Sequence, residues 1–431
     1  MLWCLATGVR RASGTSGIGI LRRAGTDQAI GPSADKFQSR VAWAAFVASV
    51  TSGGAAILET TSLFIDAPGG LPVRGDDEMA EPFHQVGLLT QVRGELTQAA
   101  KVAMLHLRVV PPPLRIQVDV TDGCNFHCPM CSKAETQPSS KELGLREWAK
   151  VFERIRTVPV LREVSISGGE PFARPDILEI LGLAKSMGLR VVLLSNGWFI
   201  DADALQALQA LGVDRLMVSL NSLRESVHDE SRGKPGSYKR IMQVIDEWLA
   251  SPRTTDLCLA TIVMESNCSE LSSLATFVNE RGLSGIIFQV LLPDEVHYPF
   301  CEQSRMGDSS ADWYSSNPFW VRDTDRLRSE VLALLASQKA HGGVINPPSQ
   351  LRRFPTYYQN PGAVTAWPCL GTLTRMYIDP FGDVRLCYGY PAIGNILRDD
   401  ARELWRSPAA REIRRQARRC QRMCRMMNAS L

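Results

Sequence analysis

The sequence predicts an α/β fold built on a parallel sheet, and three observations carry that prediction. Short apolar, strand-like runs recur at 114–120, 163–167, 190–195, 214–220, 257–263 and 285–291. Between them lie stretches with apolar residues three and four apart, the spacing of amphipathic helices. Six strand–helix units in succession require crossover connections, and those pair strands in parallel. Functional groups in such folds gather at the C-terminal ends of the strands.

The elements follow in order. Residues 1–78 are rich in Gly, Ser and Ala with weak periodicity. They are expected to be disordered, loosely attached or upstream of the natural start, since Met79 opens a more protein-like stretch. Residues 79–110 form a lead-in with helical spacing at Leu89, Val92, Leu96, Ala99 and Ala103. Pro111 to Pro113 then break the chain. A core is expected over 111–340. Its first helix is signalled by Trp148, Val151, Phe152 and Ile155, and others by 175–187, 202–211, 237–250 and 269–282. Residues 292–323 make a long insertion with aromatic side chains, expected either to touch the substrate or to form a packed surface loop. A helix at 325–340 closes the core. A separate C-terminal domain is expected over 341–431. It contains a strand at 375–378, a turn Asp379 to Asp383 set by Pro380 and Gly382, and a strand at 384–387. A helix then leads to Cys420.

Composition narrows the class. A hydrophobic fraction of 45% and a charged fraction of 22% are ordinary for a globular protein. A net charge of +3 argues for neither nucleic acid nor a membrane surface as partner. The uncharged stretch 41–58 is diluted by Ser, Thr and Gly and is a poor spanning helix. Eleven cysteines, an odd number with a tight triplet among them, favour metal ligation over a disulfide framework. Such thiolates need a reducing compartment, so the cytoplasm is expected.

The triplet is Cys124, Cys128 and Cys131, in a loop directly after the first strand. Four-iron clusters that only carry electrons usually have four cysteine ligands. Three ligands leave one iron open for a substrate or cofactor. The alternative is a structural zinc site, which favours four ligands in paired groups. The second strand ends in Gly168-Gly169-Glu170-Pro171. Its glycines let the backbone approach a ligand, and Glu170 can accept from an ammonium group. Read alone, the segment is also a tight turn with a helix-starting Pro. Ser195 and Asn196 end the third strand. Ser219 and Asn221 end the fourth and share one face by alternation.

These residues resemble the radical S-adenosylmethionine (SAM) enzymes. The resemblance covers 114–290 and implies a partial (β/α)6 barrel. It also implies a [4Fe-4S] cluster whose open iron binds SAM, and cleavage of SAM to a 5′-deoxyadenosyl radical that abstracts hydrogen from a substrate. Glu170 in the Gly-Gly-Glu-Pro segment would hold the SAM amino group. Ser195 and Asn196 match the family's polar third-strand end. Ser219 and Asn221 would reach the ribose hydroxyls, although many relatives carry Asp where Asn221 stands. Met130 would contact adenine, and Arg232 would pair with the SAM carboxylate. An exposed loop followed by an N-cap at Ser237 reads the 228–237 stretch equally well.

Cys369, Cys387, Cys420 and Cys424 resemble the "twitch", a shortened SPASM extension that holds one auxiliary [4Fe-4S] cluster. The C-x3-C spacing of the last pair departs from some relatives, and no cysteine follows to build a second auxiliary cluster. The implied partners are a small-molecule or peptide substrate and an electron donor such as flavodoxin or ferredoxin. A peptide or protein maturase is the main alternative within the family. A non-catalytic iron–sulfur or zinc scaffold is the alternative outside it.

Overall fold

A computed structural model describes residues 110–431, apart from 132, 134–136, 159–162, 293–312, 367–368, 425–426 and 429–431. All of them belong to one compact unit, Asp66–Leu431. The expected disordered segment, the lead-in helix, the 41–58 stretch and most of the insertion lie outside the described residues.

Six strands alternate with helices as the spacing predicts. They are β1 (Arg115–Asp119), β2 (Glu163–Ser167), β3 (Arg190–Ser195), β4 (Arg215–Ser219), β5 (Asp256–Val263) and β6 (Gly285–Val290). The helices are α1 (Leu145–Arg156), α2 (Ile177–Ser186), α3 (Ala202–Ala210), α4 (Glu225–Arg232), α5 (Ser237–Leu249), α6 (Leu271–Glu280) and α7 (Thr324–His341). Helix α4 was not expected. Its sequence, ESVHDESR, buries only His228 and Ser231, so apolar periodicity is silent there. The N-cap of α5 is Gly236 in the left-handed region, and Ser237 is the first helical residue, its hydroxyl donating to Asp229 Oδ1 at 2.8 Å.

The sheet runs β6-β5-β4-β3-β2-β1 and is parallel throughout. Strand alternation sorts its two faces. Ile116, Val118, Val191, Leu193, Leu216, Val218, Leu257 and Leu259 join the main core under the helices. Val192, Met217, Cys258 and Ile287 form a separate apolar cluster on the opposite, inner face. Cys258 is therefore a packing residue. On β1 the inner face is polar, presenting Gln117 and Asp119.

The C-terminal strands extend this sheet. β7 (Arg375–Ile378) pairs in parallel with β1, with Gln117 opposite Tyr377. β8 (Asp383–Arg385) returns antiparallel to β7 as the Pro–Gly turn predicts, and β9 (Gly394–Asn395) follows antiparallel to β8. The nine-stranded sheet stays open among the described residues, with β6 and β9 at its edges. The remainder of the insertion packs as an aromatic cluster. Trp320 lies 4.7 Å from the Tyr358 ring and 5.2 Å from Trp313. The Tyr358 and Tyr357 hydroxyls donate to the carbonyls of Val263 and Leu291 at the ends of β5 and β6.

Candidate functional site

Cys124, Cys128 and Cys131 sit in a loop at the C-terminal end of β1. The loop entrance is tied down first. Val120 N donates to Ser167 O at 2.9 Å, the Thr121 hydroxyl and the Asp122 N–H donate to Glu142 Oε1, and Arg174 donates to the Val120 and Leu143 carbonyls. The three thiols lie within each other's electrostatic reach. Burial pushes the Cys124 thiol up to about 11 and raises that of Cys131. A thiolate there needs a compensating positive charge, which a bound metal centre supplies.

The Gly-Gly-Glu-Pro segment packs directly on this loop. Gly169 N donates to Thr121 O and Glu170 N to Gly123 O, both at 2.8 Å. A Cβ on Gly169 would stand 2.1 Å from Gly123 O. The glycine is thus required by backbone meeting backbone, where the sequence suggested backbone meeting ligand. Glu170 is fully buried, and burial raises its carboxyl above the ordinary range. Its Oε1 accepts from the Ser195 hydroxyl at 2.8 Å and from Phe172 N at 3.1 Å, and its Oε2 from Asn196 N at 2.6 Å. Ser195 and Asn196 therefore serve Glu170, which caps the turn begun by Pro171. This carboxylate is a hub joining β2, β3 and the cysteine loop, an internal role that the expected ammonium contact did not anticipate.

The other expected contacts divide. Met130 is buried in the main core. Ser219 is half-buried at the end of β4. Asn221 is 1% exposed, and both ends of its amide are engaged: Nδ2 donates to Ser231 Oγ at 2.9 Å, and Oδ1 accepts from Ile262 N at 3.1 Å. The amide that the resemblance assigns to the ribose is thus laced into the fold between α4 and β5. Arg232, expected either in the site or in an exposed loop, ends α4 against the cysteine loop. Its carbonyl lies 3.4 Å from Cys128 Sγ, and its guanidinium carbon lies 5.5 Å from the Phe126 ring centroid. Gly233, at φ 58, lets the chain turn there; a Cβ would stand 2.3 Å from His127 O. Neutral His228 accepts the Asn221 N–H at Nδ1, 3.1 Å, and burial holds its pKa down to about 3.

Two buried donors at this site have no protein partner: Arg232 Nε and Asn125 Nδ2. Asn125 Oδ1 accepts from Asn196 Nδ2 at 2.8 Å, which fixes its orientation. Buried orphan donors are uncommon in folded proteins, and a ligand carrying a carboxylate beside the cysteines would satisfy them. Asn125 was missed in the sequence, although it directly follows Cys124.

The second cysteine group also converges. Cys369 precedes β7, Cys387 follows β8, and Cys420 and Cys424 follow the helix Pro408–Ala417. Cys424 feels the charges of Cys387, Cys369 and Cys420, and burial pushes Cys387 up to about 11. Arg414 of that helix anchors it, stacking 4.2 Å over Trp405 and donating to the Thr372 and Trp405 carbonyls. Among the described residues no three His, Cys, Asp or Glu side chains are set to hold a single metal ion. A four-iron cluster meets each thiolate at a different iron, so its ligands need not crowd around one ion.

Residues 118–264 match the family model of the radical SAM superfamily, and residues 369–426 that of SPASM, an iron–sulfur cluster-binding domain. The chain is a radical SAM enzyme with a C-terminal SPASM domain. It is 27% identical over 304 residues to the AdoMet-dependent heme synthase of Methanosarcina barkeri, covering 68% of this chain and 82% of that protein. It is 30% identical over 174 residues to the PqqA peptide cyclase of Ruegeria pomeroyi, covering 40% of this chain and 46% of that one. The fold matches Streptococcus suis SuiB bound to S-adenosylmethionine, with a TM-score of 0.54 and 14% identity over 75% of this chain and 73% of that one. It also matches SuiB bound to the precursor peptide SuiA, with a TM-score of 0.53 and 16% identity over 87% of this chain and 80% of that one. A radical SAM enzyme of this kind uses a [4Fe-4S] cluster with SAM, and its SPASM domain adds iron–sulfur binding. No described helix is long and apolar enough to cross a membrane.

Proposed function

We propose that Cys124, Cys128 and Cys131 hold the SAM-cleaving cluster, that Cys369, Cys387, Cys420 and Cys424 hold an auxiliary one, and that the substrate is a peptide. The observation that carries the site assignment is the pair of orphan donors, Arg232 Nε and Asn125 Nδ2, beside three coupled thiols. When bound, the cluster and SAM supply the radical that removes hydrogen from the substrate. The chain's own residues shape the place where this happens. Glu170 fixes the Gly-Gly loop against the cysteine loop, Gly233 brings the end of α4 to it, and Arg232 offers a cation to the SAM carboxylate.

The peptide reading draws on the PqqA peptide cyclase and on the SuiB fold bound to a precursor peptide. A small-molecule substrate is the second reading, favoured by the heme synthase match, which spans 82% of that protein. A flavodoxin or ferredoxin as electron donor and a cytoplasmic location accompany both readings, since the thiols must stay reduced to hold clusters.

Anaerobically reconstituted protein given dithionite and SAM is expected to form 5′-deoxyadenosine. A variant with Cys124, Cys128 and Cys131 changed to Ala is expected to form none, and an unchanged yield would sink the assignment. A precursor peptide encoded beside this gene should raise the yield. A rise with a heme precursor and none with the peptide favours the second reading.

A further inference from the structure

One carboxylate joins the two cysteine loops. Asp119, on the inner face of β1, is 3% exposed. Its Oδ2 lies 3.3 Å from Lys133 Nζ and accepts from the Tyr388 hydroxyl at 3.3 Å. Gln117 Nε2 spans the same group, 3.3 Å from Asp119 Oδ1 and 3.0 Å from Tyr388 Oη. Lys133 stands two residues beyond Cys131; its backbone N–H bonds the Cys131 sulfur and its charge acts on it. Tyr388 directly follows Cys387, and its ring lies 4.4 Å from that of Tyr377, which faces the charges of Cys387 and Cys369.

Stability is a poor reason for this arrangement. A buried ion pair gains in attraction about what it loses in hydration, and apolar packing often serves as well. Fixed charge and hydrogen bonding close to an iron–sulfur centre, by contrast, set its reduction potential. We propose that Asp119 is a positioning residue that tunes both cysteine-held centres at once, through Lys133 on one side and Tyr388 on the other. The inference rests on the reading that both cysteine groups hold clusters.

The test is a redox titration of the full iron-loaded chain, followed by electron paramagnetic resonance, with iron counted in each variant. Asp119→Asn removes a negative charge and leaves Lys133 paired with Asp122 at 2.8 Å. It is expected to raise both midpoint potentials. A tenfold change in the reduction equilibrium corresponds to about 59 mV for a one-electron couple. Lys133→Met is expected to lower the potential of the N-terminal centre. Packing damage has no reason to reverse its sign with the charge removed, so opposite shifts support the proposal. Tyr388→Phe keeps the ion pair and is expected to move the C-terminal centre alone.

Unchanged potentials in Asp119→Asn at wild-type iron content overturn the proposal, as do shifts of one sign in Asp119→Asn and Lys133→Met. If Asp119→Asn fails to load, an unmoved C-terminal centre in Tyr388→Phe overturns it independently. Wild-type protein that loads two clusters while these variants leave the potentials unmoved rejects this inference and keeps the assignment above. Wild-type protein that takes up no iron rejects both.

Discussion

Asp119 and Tyr388 are 269 residues apart in the chain and share a hydrogen bond of 3.3 Å. The contact exists because β7 pairs with β1, so the SPASM domain continues the sheet of the radical SAM core. The two cysteine groups are thus joined through one continuous sheet.

Glu170→Ala should destabilise the protein before any cofactor binds. It removes the acceptor for three N–H and O–H donors, and a single buried orphan costs about 1–3 kcal/mol. Thermal or urea unfolding of iron-free protein is expected to show a loss of about 3 kcal/mol or more. An unchanged midpoint would mean that the hub carries little structural weight, and that Glu170 acts mainly on ligand.

Gly169→Ala should displace the cysteine loop. A methyl group 2.1 Å from Gly123 O has no room, and forced backbone shifts cost about 1–3 kcal/mol. Iron retained by the N-terminal cysteines is expected to fall sharply. Gly182→Ala is the control: it sits inside α2, where the new methyl would make ordinary contact with Leu211 at 3.4 Å, and wild-type iron content is expected. Equal iron in the two variants would refute the loop–loop argument.

Acid should weaken the fold through His228. Its folded pKa, about 3, lies below the ordinary 6.5 because the ring is buried and the Arg232 charge lies close, and its Nδ1 accepts from Asn221 N. The unfolded chain therefore binds the proton first. Stability contributed by His228 is full above pH 6.5 and declines as pH falls toward 3, by up to about 1.4 kcal/mol per unit. His228→Asn, which can keep an acceptor, is expected to flatten the decline between pH 6.5 and 5 in urea titrations. A decline of wild-type steepness in the variant would place the sensitive group elsewhere.

Changing Cys369, Cys387, Cys420 and Cys424 together to Ala should remove about half of the roughly eight irons expected for two four-iron clusters. 5′-Deoxyadenosine formation should persist, and turnover of the true substrate should be lost if that cluster accepts the substrate's electron. Iron analysis and Mössbauer spectra of wild type and variant check this. One cluster in the fully loaded wild type, or zinc at these four cysteines, would overturn the auxiliary assignment.

The sequence by itself determined the strand–helix alternation, the parallel pairing of β1 to β6 and the two cysteine groups. Those follow from local signals: apolar spacing reports which face is buried, and clustered thiols report metal chemistry over a few residues. Strand bounds at Glu163–Ser167 and Arg190–Ser195 were legible to the residue for this reason. Helix α4 was not, because its buried residues are His and Ser and leave no apolar period. Glu170 and Asn221 were legible as polar strand-end residues, but a polar residue there has the same local signature whatever protein groups it meets. Only the fold supplied their partners, Ser195 and Asn196 for one, Ser231 and Ile262 for the other. The tertiary structure likewise decided that β7 lies against β1 and that Asp119 meets both Lys133 and Tyr388. Strand pairing and hydrogen-bond partners are non-local, and no period within one segment encodes them.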